Sequence, residues 1–390
     1  MTDQANKLRM GMVGGGRDAF IGAVHRMAAQ LDGGVTFCAG ALSSSPEKSL
    51  ASGQDLGLAD DRNYPTWQAM LEGELARDPD DRIDFVSIVT PNDSHYEIAA
   101  AFAKAGFNVV LDKPMVQTPE QAAELRAAVE DSGVVFAVTY NYSGYPMVKL
   151  ARDLVETGEL GSIRKVVVEY NQGWLATKLE DSGQKQAEWR TDPKRSGVGG
   201  AVGDIGSHAQ HLVSYITGME IDRIAADLTC FVPNRPIDDD ANVLMRFKGG
   251  AKGVLFVSQI CVGNRNDLRI RVWGTKGGIE WHQEDPDHLL MRTPDGPEKV
   301  YHRAVGDLPG SVQSATRLPS GHPEAFIEAF GNIYREATRA MRERAANPDG
   351  YDYPTVSDGE LGVRFIHAAV CSSAADASWI DLSTLEQVSG

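Results

Sequence analysis

The stretch that decides the fold is residues 8–16, LRMGMVGGG. An apolar strand over Leu8–Val13 leads directly into three glycines, and a helical pattern through Val24–Leu31 follows. Glycines at such a turn let the backbone bend tightly and approach a pyrophosphate at the N-terminus of the next helix. The turn alone is weak evidence, but its place between a strand and a helix predicts a dinucleotide site that includes Gly14 and Gly16.

The spacing after this turn departs from the usual pattern. The third glycine is expected three residues after Gly16, where Ala19 stands, and Gly22 comes three residues later still. We therefore expect extra residues in the turn before its helix, with Ala19, Phe20 and Ile21 beside the cofactor.

Short strands and helical patterns alternate over about the first 140 residues. After the first strand, strands are predicted at Val35–Leu42, Asp84–Thr90, Asn108–Leu111 and Val134–Tyr140. Helical patterns such as His95–Ala105 and Pro119–Ser132 lie between them. This alternation is typical of a parallel sheet that is covered by helices on both faces.

The pattern changes near Pro146, where strands begin to follow one another with little helix between them. These strands are predicted at Ile163–Asn171, Ile224–Phe231, Asn242–Phe247, Gly253–Ile260, Leu268–Val272 and Gly277–Trp281. Glycine-rich turns at Lys248–Ala251 and Gly274–Gly277 indicate hairpins. Because 390 residues exceed the usual size of one core, we expect two domains. The first is an α/β domain over residues 1–145, and the second is an α+β domain with a large, mostly antiparallel open sheet over residues 146–390.

Charge and hydropathy exclude several classes of partner. The formal net charge is −16, and an acidic surface without a basic stripe repels both nucleic acids and anionic membranes. No apolar run approaches the length needed to span a bilayer, and the first residues lack the apolar core of a signal peptide. We therefore expect a cytoplasmic protein that acts on a small molecule. Four cysteines form no CxxC pair and are predicted to be buried free thiols: Cys38, Cys230, Cys261 and Cys371.

The end of the second strand bears on the choice of nicotinamide cofactor. An acidic residue there would bind the ribose hydroxyls of NAD, but the chain continues Ser43-Ser44-Ser45-Pro46, with Lys48 close behind. Small hydroxyl side chains and a lysine leave room for a 2′-phosphate, so the cofactor is predicted to be NAD or NADP, with Ser43, Ser44 and Lys48 beside it. Alternatively, this is a serine turn in which Ser45 caps a helix.

Two segments carry residues suited to proton transfer. Lys113 ends a strand of the predicted parallel sheet, and ligands bind outside the carboxyl ends of such strands. Within residues 203–215, Asp204, His208, His211 and Tyr215 recur at helical spacing and share a face. Oxidation of an alcohol needs a base near neutral pKa, which histidine supplies, and a lysine can hydrogen-bond the developing alkoxide.

Two structural or chemical alternatives apply to this helical face. Asp204 could be a helix N-cap. Asp204, His208 and His211 could instead bind a metal ion, because carboxylates and imidazoles at these spacings can share one.

Motifs spread over nearly the whole chain resemble the glucose–fructose oxidoreductase / inositol dehydrogenase (Gfo/Idh/MocA) family. Each motif is weak, but together they keep the order and spacing of the family. They are the glycine turn, Thr90-Pro91-Asn92 with His95, Lys113-Pro114, Asn141-Tyr142, Gly158–Gly161, Trp189-Arg190, Gly199-Gly200 with Asp204 and His208, Gly274–Gly277, and His322-Pro323-Glu324.

The resemblance implies a Rossmann domain, then a sheet domain that builds homodimers or homotetramers, and a dehydrogenase acting on a sugar, inositol or related polyol. By the family pattern Lys113 is the catalytic lysine, His208 the proton-transferring base and Asp204 an orienting carboxylate. A cis peptide bond is implied at Lys113-Pro114. Further cofactor contacts are implied for Thr90, Pro91, Asn92, His95, Asp112 and Asn141. Further substrate contacts are implied for Tyr142, Trp174, Trp189, Arg190 and His322.

Three positions depart from the family pattern. Asp112 replaces a glutamate, Ser143 replaces an arginine, and His211 stands where a further acid is common. A metal-dependent enzyme using Asp204, His208 and His211 and a non-catalytic NAD(P)-binding regulator are the alternatives to a dehydrogenase. Residues 171–200 read as one long polar loop, which is either functional or a mobile surface or oligomer contact.

Overall fold

The computed structural model describes residues 7–17, 19–345 and 348–384. These residues form two compact units, and each unit combines segments that are distant in sequence. The first unit holds the described residues up to Met115, Gln121–Asn141 and Phe326–Gly359. The second holds Val116–Glu120, Tyr142–Ala325 and the described residues from Glu360 onward.

The first unit is built on a parallel sheet, as predicted. In the described residues it has five strands, β1 to β5, at Leu8–Gly14, Val35–Ala41, Phe85–Val89, Asn108–Leu111 and Phe136–Val138. Helices α1 to α5 span Phe20–Gln30, Pro46–Asp55, Trp67–Leu75, His95–Lys104 and Pro119–Ser132. The strand order is β2-β1-β3-β4-β5. The order reverses at β1, and such a reversal opens a crevice for ligands at the carboxyl edge of the sheet.

The second unit contains the large open sheet. Helices α6 to α10 span Pro146–Glu156, Lys185–Arg190, Pro193–Ser196, Ser207–Thr217 and Gly310–Ser314. Strands β6 to β14 span Ile163–Asn171, Ile221–Thr229, Asp240–Phe247, Lys252–Ser258, Asp267–Gly274, Gly278–His282, His288–Arg292, Lys299–His302 and Ile380–Asp381. Their order is β13-β12-β11-β10-β6-β9-β8-β7-β14. Neighbouring described strands are antiparallel except β6 and β9, which are parallel.

Two long helices follow the sheet in sequence, α11 (Phe326–Glu343) and α12 (Val356–Ala374). Helix α11 belongs to the first unit and contacts α1. Its buried face, which includes Phe330, Ile333 and Ala337, joins the apolar core around β1 and β3. The observed units therefore differ from the predicted division at residues 145 and 146. The amphipathic pattern of a long helix indicates that one face packs against an apolar surface, but it does not indicate which surface.

Other expectations can be compared with the described elements. The hairpin at Lys248–Ala251 is confirmed, with φ of +89° at Gly249 and +97° at Gly250. Residues 171–200 are not one continuous loop, because α7, α8 and a 3₁₀ turn at Leu179–Ser182 lie within them. The sequence does not predict β12 and β13, because both are short and mix charged with apolar residues. No helix among the described residues is long and apolar enough to cross a membrane.

The prediction for the cysteines is partly wrong. All four are free thiols, but Cys230 and Cys371 are exposed, and Cys38 and Cys261 are half-buried. Cys230 lies just past the end of β7, and Cys371 lies in the last turns of α12. Cys230 is therefore outside the strand that would bury it, and Cys371 lies on the solvent side of its helix.

Candidate active site

The glycine turn after β1 has a backbone that only glycine accommodates. Gly14 and Gly15 adopt φ of +83° and +72°, a region that other residues rarely enter. A Cβ on Gly14 would lie 2.9 Å from Cγ2 of Thr90, and one on Gly16 would lie 2.6 Å from the carbonyl oxygen of Leu42. The turn after β1 is therefore packed closely against the chain that follows β2 and β3, at the reversal of strand order.

Gly22 takes the role of the third glycine. Helix α1 begins at Phe20, so Arg17 and Ala19 belong to the lengthened turn that the spacing predicted. A Cβ on Gly22 would lie 2.3 Å from Cα of Gly15, so helix and turn approach as closely as two backbones can. This close approach leaves the N-terminus of α1 beside the turn, a cradle that suits the pyrophosphate of a dinucleotide.

The serines after β2 form a capped turn. Oγ of Ser45 accepts a hydrogen bond from N of Lys48 at 3.5 Å, so the predicted helix cap at the start of α2 is confirmed. Ser43 is half-buried, and Ser44 and Lys48 are exposed. Arg17, in the glycine turn, forms a salt bridge of 2.5 Å with Asp55. Polar side chains suited to the ribose are therefore present, but the position where NAD-binding proteins have an acid is Ser43.

The residues after β3 divide into two groups. Thr90 and Pro91 are half-buried at the edge of the sheet. His95 is fully buried, and its two ring nitrogens each lie 2.9 Å from a backbone carbonyl oxygen, those of Pro114 and Thr90. The predicted direct cofactor contact of His95 is therefore corrected, because the ring joins the ends of β3 and β4. Asn92 is also buried.

Lys113 follows β4 at the same edge. Its backbone N–H donates to Oδ1 of Asp112 at 2.9 Å, and that oxygen also accepts from Oγ1 of Thr139 at 3.0 Å. The Lys113–Pro114 peptide bond is cis, which confirms the implication of the family resemblance. Asn141 is buried, and its Nδ2 has no hydrogen-bond partner among the described residues.

In the second unit the predicted helix begins with a π-helical turn at Val202–Gly206, and α9 continues from Ser207. Asp204 lies inside this turn, so the alternative of an N-cap is wrong. Nε2 of Gln259 donates to Oδ2 of Asp204 at 2.9 Å, and Nε of Arg190 forms an ion pair with the same oxygen at 3.4 Å. π turns inside helices occur frequently at functional sites.

Arg190 also lies over the ring of Trp189, with its guanidinium carbon 4.2 Å from the ring centroid. Both residues come from α7, inside the polar segment between β6 and α9. The structure therefore brings together Arg190, Trp189 and Asp204, three of the residues predicted to contact substrate.

His208 packs against a group of buried tyrosines. Its ring centroid lies 4.8 Å from that of Tyr142, edge to face. The hydroxyls of Tyr142 and Tyr170 are 2.5 Å apart, and Tyr170 donates to Oδ1 of Asn266 at 2.6 Å. Burial raises the pKa of both tyrosines above the ordinary value, so both hydroxyls stay protonated at neutral pH.

The hydrogen-bonded chain continues from Asn266 to a further predicted residue. Nε2 of Gln172 donates to Oδ1 of Asn266 at 2.8 Å, and Nε1 of Trp174 donates to Oε1 of Gln172 at 2.9 Å. Sequence reasoning missed Tyr170, Asn266, Gln172 and Gln259. Their one shared signal is position, because each lies within a few residues of an end of β6, β9 or β10 at the same edge of the sheet.

Two predicted residues are not part of this group. His322 is exposed, and its carbonyl oxygen accepts a hydrogen bond from the buried Arg303. His211 is buried, and its ring stacks on Tyr215 at 6.1 Å. Within the described ranges no three His, Cys, Asp or Glu side chains are grouped to bind one metal ion. The alternative of a metal site made by Asp204, His208 and His211 therefore lacks its ligand geometry.

Comparison with known family models divides the chain near the predicted boundary between residues 145 and 146. Residues 8–140 match the oxidoreductase family with an NAD-binding Rossmann fold. Residues 148–280 match the GFO/IDH/MocA C-terminal domain. The chain belongs to the GFO/IDH/MocA oxidoreductase family.

Two relatives and one solved structure match this chain over nearly their whole length. The chain is 34% identical over 381 residues to the uncharacterized oxidoreductase YfiI of Bacillus subtilis, covering 96% of each protein. It is 28% identical to levoglucosan dehydrogenase of Pseudarthrobacter phenanthrenivorans, covering 96% of this chain and 98% of the relative. A crystal structure of an inositol dehydrogenase homolog from Azotobacter vinelandii, complexed with NAD+, has a TM-score of 0.93 at 34% identity and covers 97% of this chain and 98% of that one.

A second crystal structure of the Azotobacter protein contains NADH and myo-inositol and has a TM-score of 0.90. The fold predicted from the sequence is therefore confirmed as that of the GFO/IDH/MocA family. The N-terminal domain is an NAD-binding Rossmann domain, in agreement with the cradle that Gly14, Gly16 and Gly22 form.

Proposed function

We propose that this GFO/IDH/MocA protein oxidises a secondary hydroxyl of a sugar, inositol or related polyol, or reduces the corresponding ketone. The observation that carries the proposal is the grouping of Asp204, His208, Tyr142 and Arg190 in the second unit. These side chains offer one carboxylate, one imidazole and several donors, which suits a neutral substrate rich in hydroxyl groups. The relatives named for levoglucosan and crystallised with myo-inositol support this class of substrate.

The cofactor is assigned to the first unit. A bound nicotinamide dinucleotide supplies or accepts the hydride. Gly14 and Gly16 would hold its pyrophosphate at the N-terminus of α1, and Ser43, Ser44 and Lys48 would surround the adenosine ribose. The contacts predicted for Ala19, Phe20, Ile21, Thr90 and Pro91 belong to the same proposal.

His208 is proposed as the base that takes the hydroxyl proton. Imidazole titrates near neutral pH, so it accepts a proton from the substrate without a large free-energy difference. The ring of Tyr142 limits the rotation of the imidazole, because the two rings pack edge to face. Asp204, held by Gln259 and Arg190, accepts hydrogen bonds from substrate hydroxyls and favours the imidazolium electrostatically.

Lys113 is proposed to act on the same proton. An ammonium group stabilises negative charge that develops on the substrate oxygen, and its own hydrogen bond lowers the pKa of that hydroxyl. Its backbone N–H is held by the side chain of Asp112, directly after the end of β4. Precise placement of this kind is what a catalytic lysine requires.

Replacement of His208 by alanine tests the assignment of the base. We expect His208→Ala to lower kcat by roughly 10²–10⁴-fold, the usual contribution of general base catalysis. Affinity for the dinucleotide should not change, because its contacts are assigned to the first unit. The oxidation rate of the wild type should rise with pH through one ionisation, and this limb should vanish in the variant. His288→Ala, which removes a partly exposed histidine paired with Asp285, is the matched control.

The roles of the two groups can be separated by a second variant. Lys113→Ala should also be severe, and the double variant should cost less than the sum of the two effects if both act on one proton. Near-normal turnover in His208→Ala, with loss of turnover in His211→Ala, would move the base by one helical turn. A screen of inositols, aldoses and sugar acids with NAD and NADP identifies the substrate and the cofactor.

A homodimer or homotetramer is proposed from the open face of the sheet. One row of paired residues crosses it through Leu244, Val254, Val167, Arg271, Glu280, Leu290 and Val300. Leu244 and Val300 are 51% and 49% exposed. Five of these seven side chains are apolar, and apolar side chains on an exposed sheet face favour association with a second copy of the chain.

Sedimentation measures this association directly. Leu244→Lys should shift the protein toward the monomer, because it places a charge at an exposed apolar position at one end of this row, beside Val254. Val262→Lys is the matched control, since Val262 is 84% exposed and lies outside the sheet. A monomeric wild type, or a Leu244→Lys variant with the mass of the wild type, would refute this assignment.

A further inference from the structure

Asp238 lies in the segment between β7 and β8 and binds three successive backbone amides. The N–H of Gly200 donates to Oδ1 at 2.6 Å, and the N–H of Val202 donates to Oδ2 at 2.8 Å. Between them, the N–H of Ala201 donates to the backbone carbonyl oxygen of Asp238 at 2.9 Å. Asp238 itself is only 9% exposed. One residue therefore satisfies every amide from position 200 to 202.

These amides begin the helical segment that carries Asp204 and His208. Helical structure runs from Ala201 through the π turn and α9, and the first amides of a helix have no partner within it. Asp238 supplies those partners from outside the helix, and its carboxylate stands at the end of the helix dipole that favours negative charge. Asp238 is thus the N-terminal cap of the segment, although it is distant in sequence.

The packing at this contact permits little displacement. A Cβ on Gly200 would lie 2.0 Å from the carbonyl oxygen of Asp238. A glycine at position 200 is therefore required for the two backbones to approach this closely. The start of the helical segment is consequently held both by hydrogen bonds and by direct backbone contact.

The next residue provides a second connection to Asp204. The carbonyl oxygen of Asp239 accepts a hydrogen bond from N of Gln259 at 2.9 Å. The side chain of Gln259 then donates to Oδ2 of Asp204 at 2.9 Å. The two-residue segment Asp238-Asp239 therefore holds the backbone ahead of Asp204 and also the residue that binds its carboxylate.

We infer that Asp238 is a positioning residue for Asp204 and His208, an inference that rests on the proposed function of those two groups. Holding a carboxylate in this buried place opposes folding, and burial raises the pKa of Asp238 to about 6. The neighbouring carboxylate of Asp239 raises the pKa of Asp238 further, whereas the hydrogen bonds from the amides of Gly200 and Val202 lower this pKa. The carboxylate oxygens are directed entirely at the turn that precedes Asp204.

The isosteric variant Asp238→Asn tests this role. Its amide nitrogen cannot accept a hydrogen bond, so one of the two backbone amides loses its partner. We expect kcat to fall about 10- to 100-fold, since a displacement of about 1 Å in a catalytic group has effects of this size. The pH limb assigned to His208 should shift, and dinucleotide affinity should stay unchanged. Hydrogen exchange of the peptide 199–206 should become faster.

Ser372→Ala is the matched control. Oγ of Ser372 is fully buried and accepts a hydrogen bond from N of Ala226 at 2.8 Å, also in the second unit. Its removal takes away a comparable anchor of the backbone without touching residues 200–204. We expect Ser372→Ala to lose about as much thermal stability as Asp238→Asn. Its kcat, its pH profile and the exchange of its peptide 199–206 should equal those of the wild type.

Gly200→Ala disturbs the same contact from the other side without changing a charge, and it replaces Asp238→Asn if that variant does not fold. Slow exchange of peptide 199–206 in the wild type and faster exchange in either variant support the inference. Wild-type kcat and pH profile in a folded variant, or fast exchange of this peptide in the wild type, overturn it. If the wild type oxidises no polyol, the proposed function fails, and the exchange data alone then decide whether Asp238 holds the turn.

Discussion

His25 is a buried histidine whose protonation should destabilise the first unit. It lies on α1, and its Nδ1 is 2.7 Å from the hydroxyl of Tyr334 on α11. That hydroxyl is also 2.8 Å from Oγ of Ser87, in the middle of β3. The three side chains join two helices and a strand inside an apolar core. Burial lowers the pKa of His25 from its ordinary value of 6.5 to about 4.

The lowered pKa sets both the sign and the size of the effect. Between pH 6.5 and pH 4 the unfolded chain binds a proton at His25 that the folded chain does not, so protonation favours unfolding. Each pKa unit corresponds to about 1.4 kcal/mol. The free energy of unfolding should therefore decrease by about 2 kcal/mol between pH 7.5 and pH 5, and by about 3 kcal/mol by pH 4. Above pH 7.5 the contribution is constant.

Urea unfolding at pH 7.5, 6 and 5, for the wild type and His25→Gln, isolates this contribution. Glutamine keeps a hydrogen-bonding group near Tyr334 but does not titrate, so the variant should be less stable at pH 7.5 and approach the wild type at pH 5. Other titrating groups, such as Asp238, whose raised pKa acts in the opposite direction, cancel in the difference between the two proteins. A difference in unfolding free energy that is constant across these three pH values would refute the assignment.

Two further predictions concern the dinucleotide site. Gly22→Ala should abolish or greatly weaken dinucleotide binding, because its Cβ would lie 2.3 Å from Cα of Gly15; cofactor titration by fluorescence measures this. Gly310→Ala, where a Cβ meets nothing within 4 Å, should bind like the wild type. Ser43→Asp should favour NAD over NADP, since a carboxylate repels a 2′-phosphate and accepts from free ribose hydroxyls. Equal changes in the two dissociation constants would show that Ser43 is not beside the ribose.

The sequence by itself determined the five strands of the first unit, in their order along the chain, and the dinucleotide turn. Periodicity placed Asn108–Leu111 and Ile163–Asn171 at the observed bounds. Glycine positions carried this information because positive φ and close backbone approach leave few alternatives. The sequence also indicated the helical face that carries Asp204 and His208, since spacings of three and four residues need only local geometry.

Tertiary structure decided what depends on pairing between distant segments. Helix α11 follows the second sheet in sequence but packs in the first unit. Its amphipathic pattern does not indicate which of the two units it joins. The roles of Gln259 and Asp238 follow from partners 55 and 38 positions away, and no local pattern marks such a residue. The role of His95 depends on a carbonyl 19 positions away, after the next strand. Hydrophobic periodicity specifies that a face is buried, but only the folded chain specifies which polar groups meet within hydrogen-bonding distance.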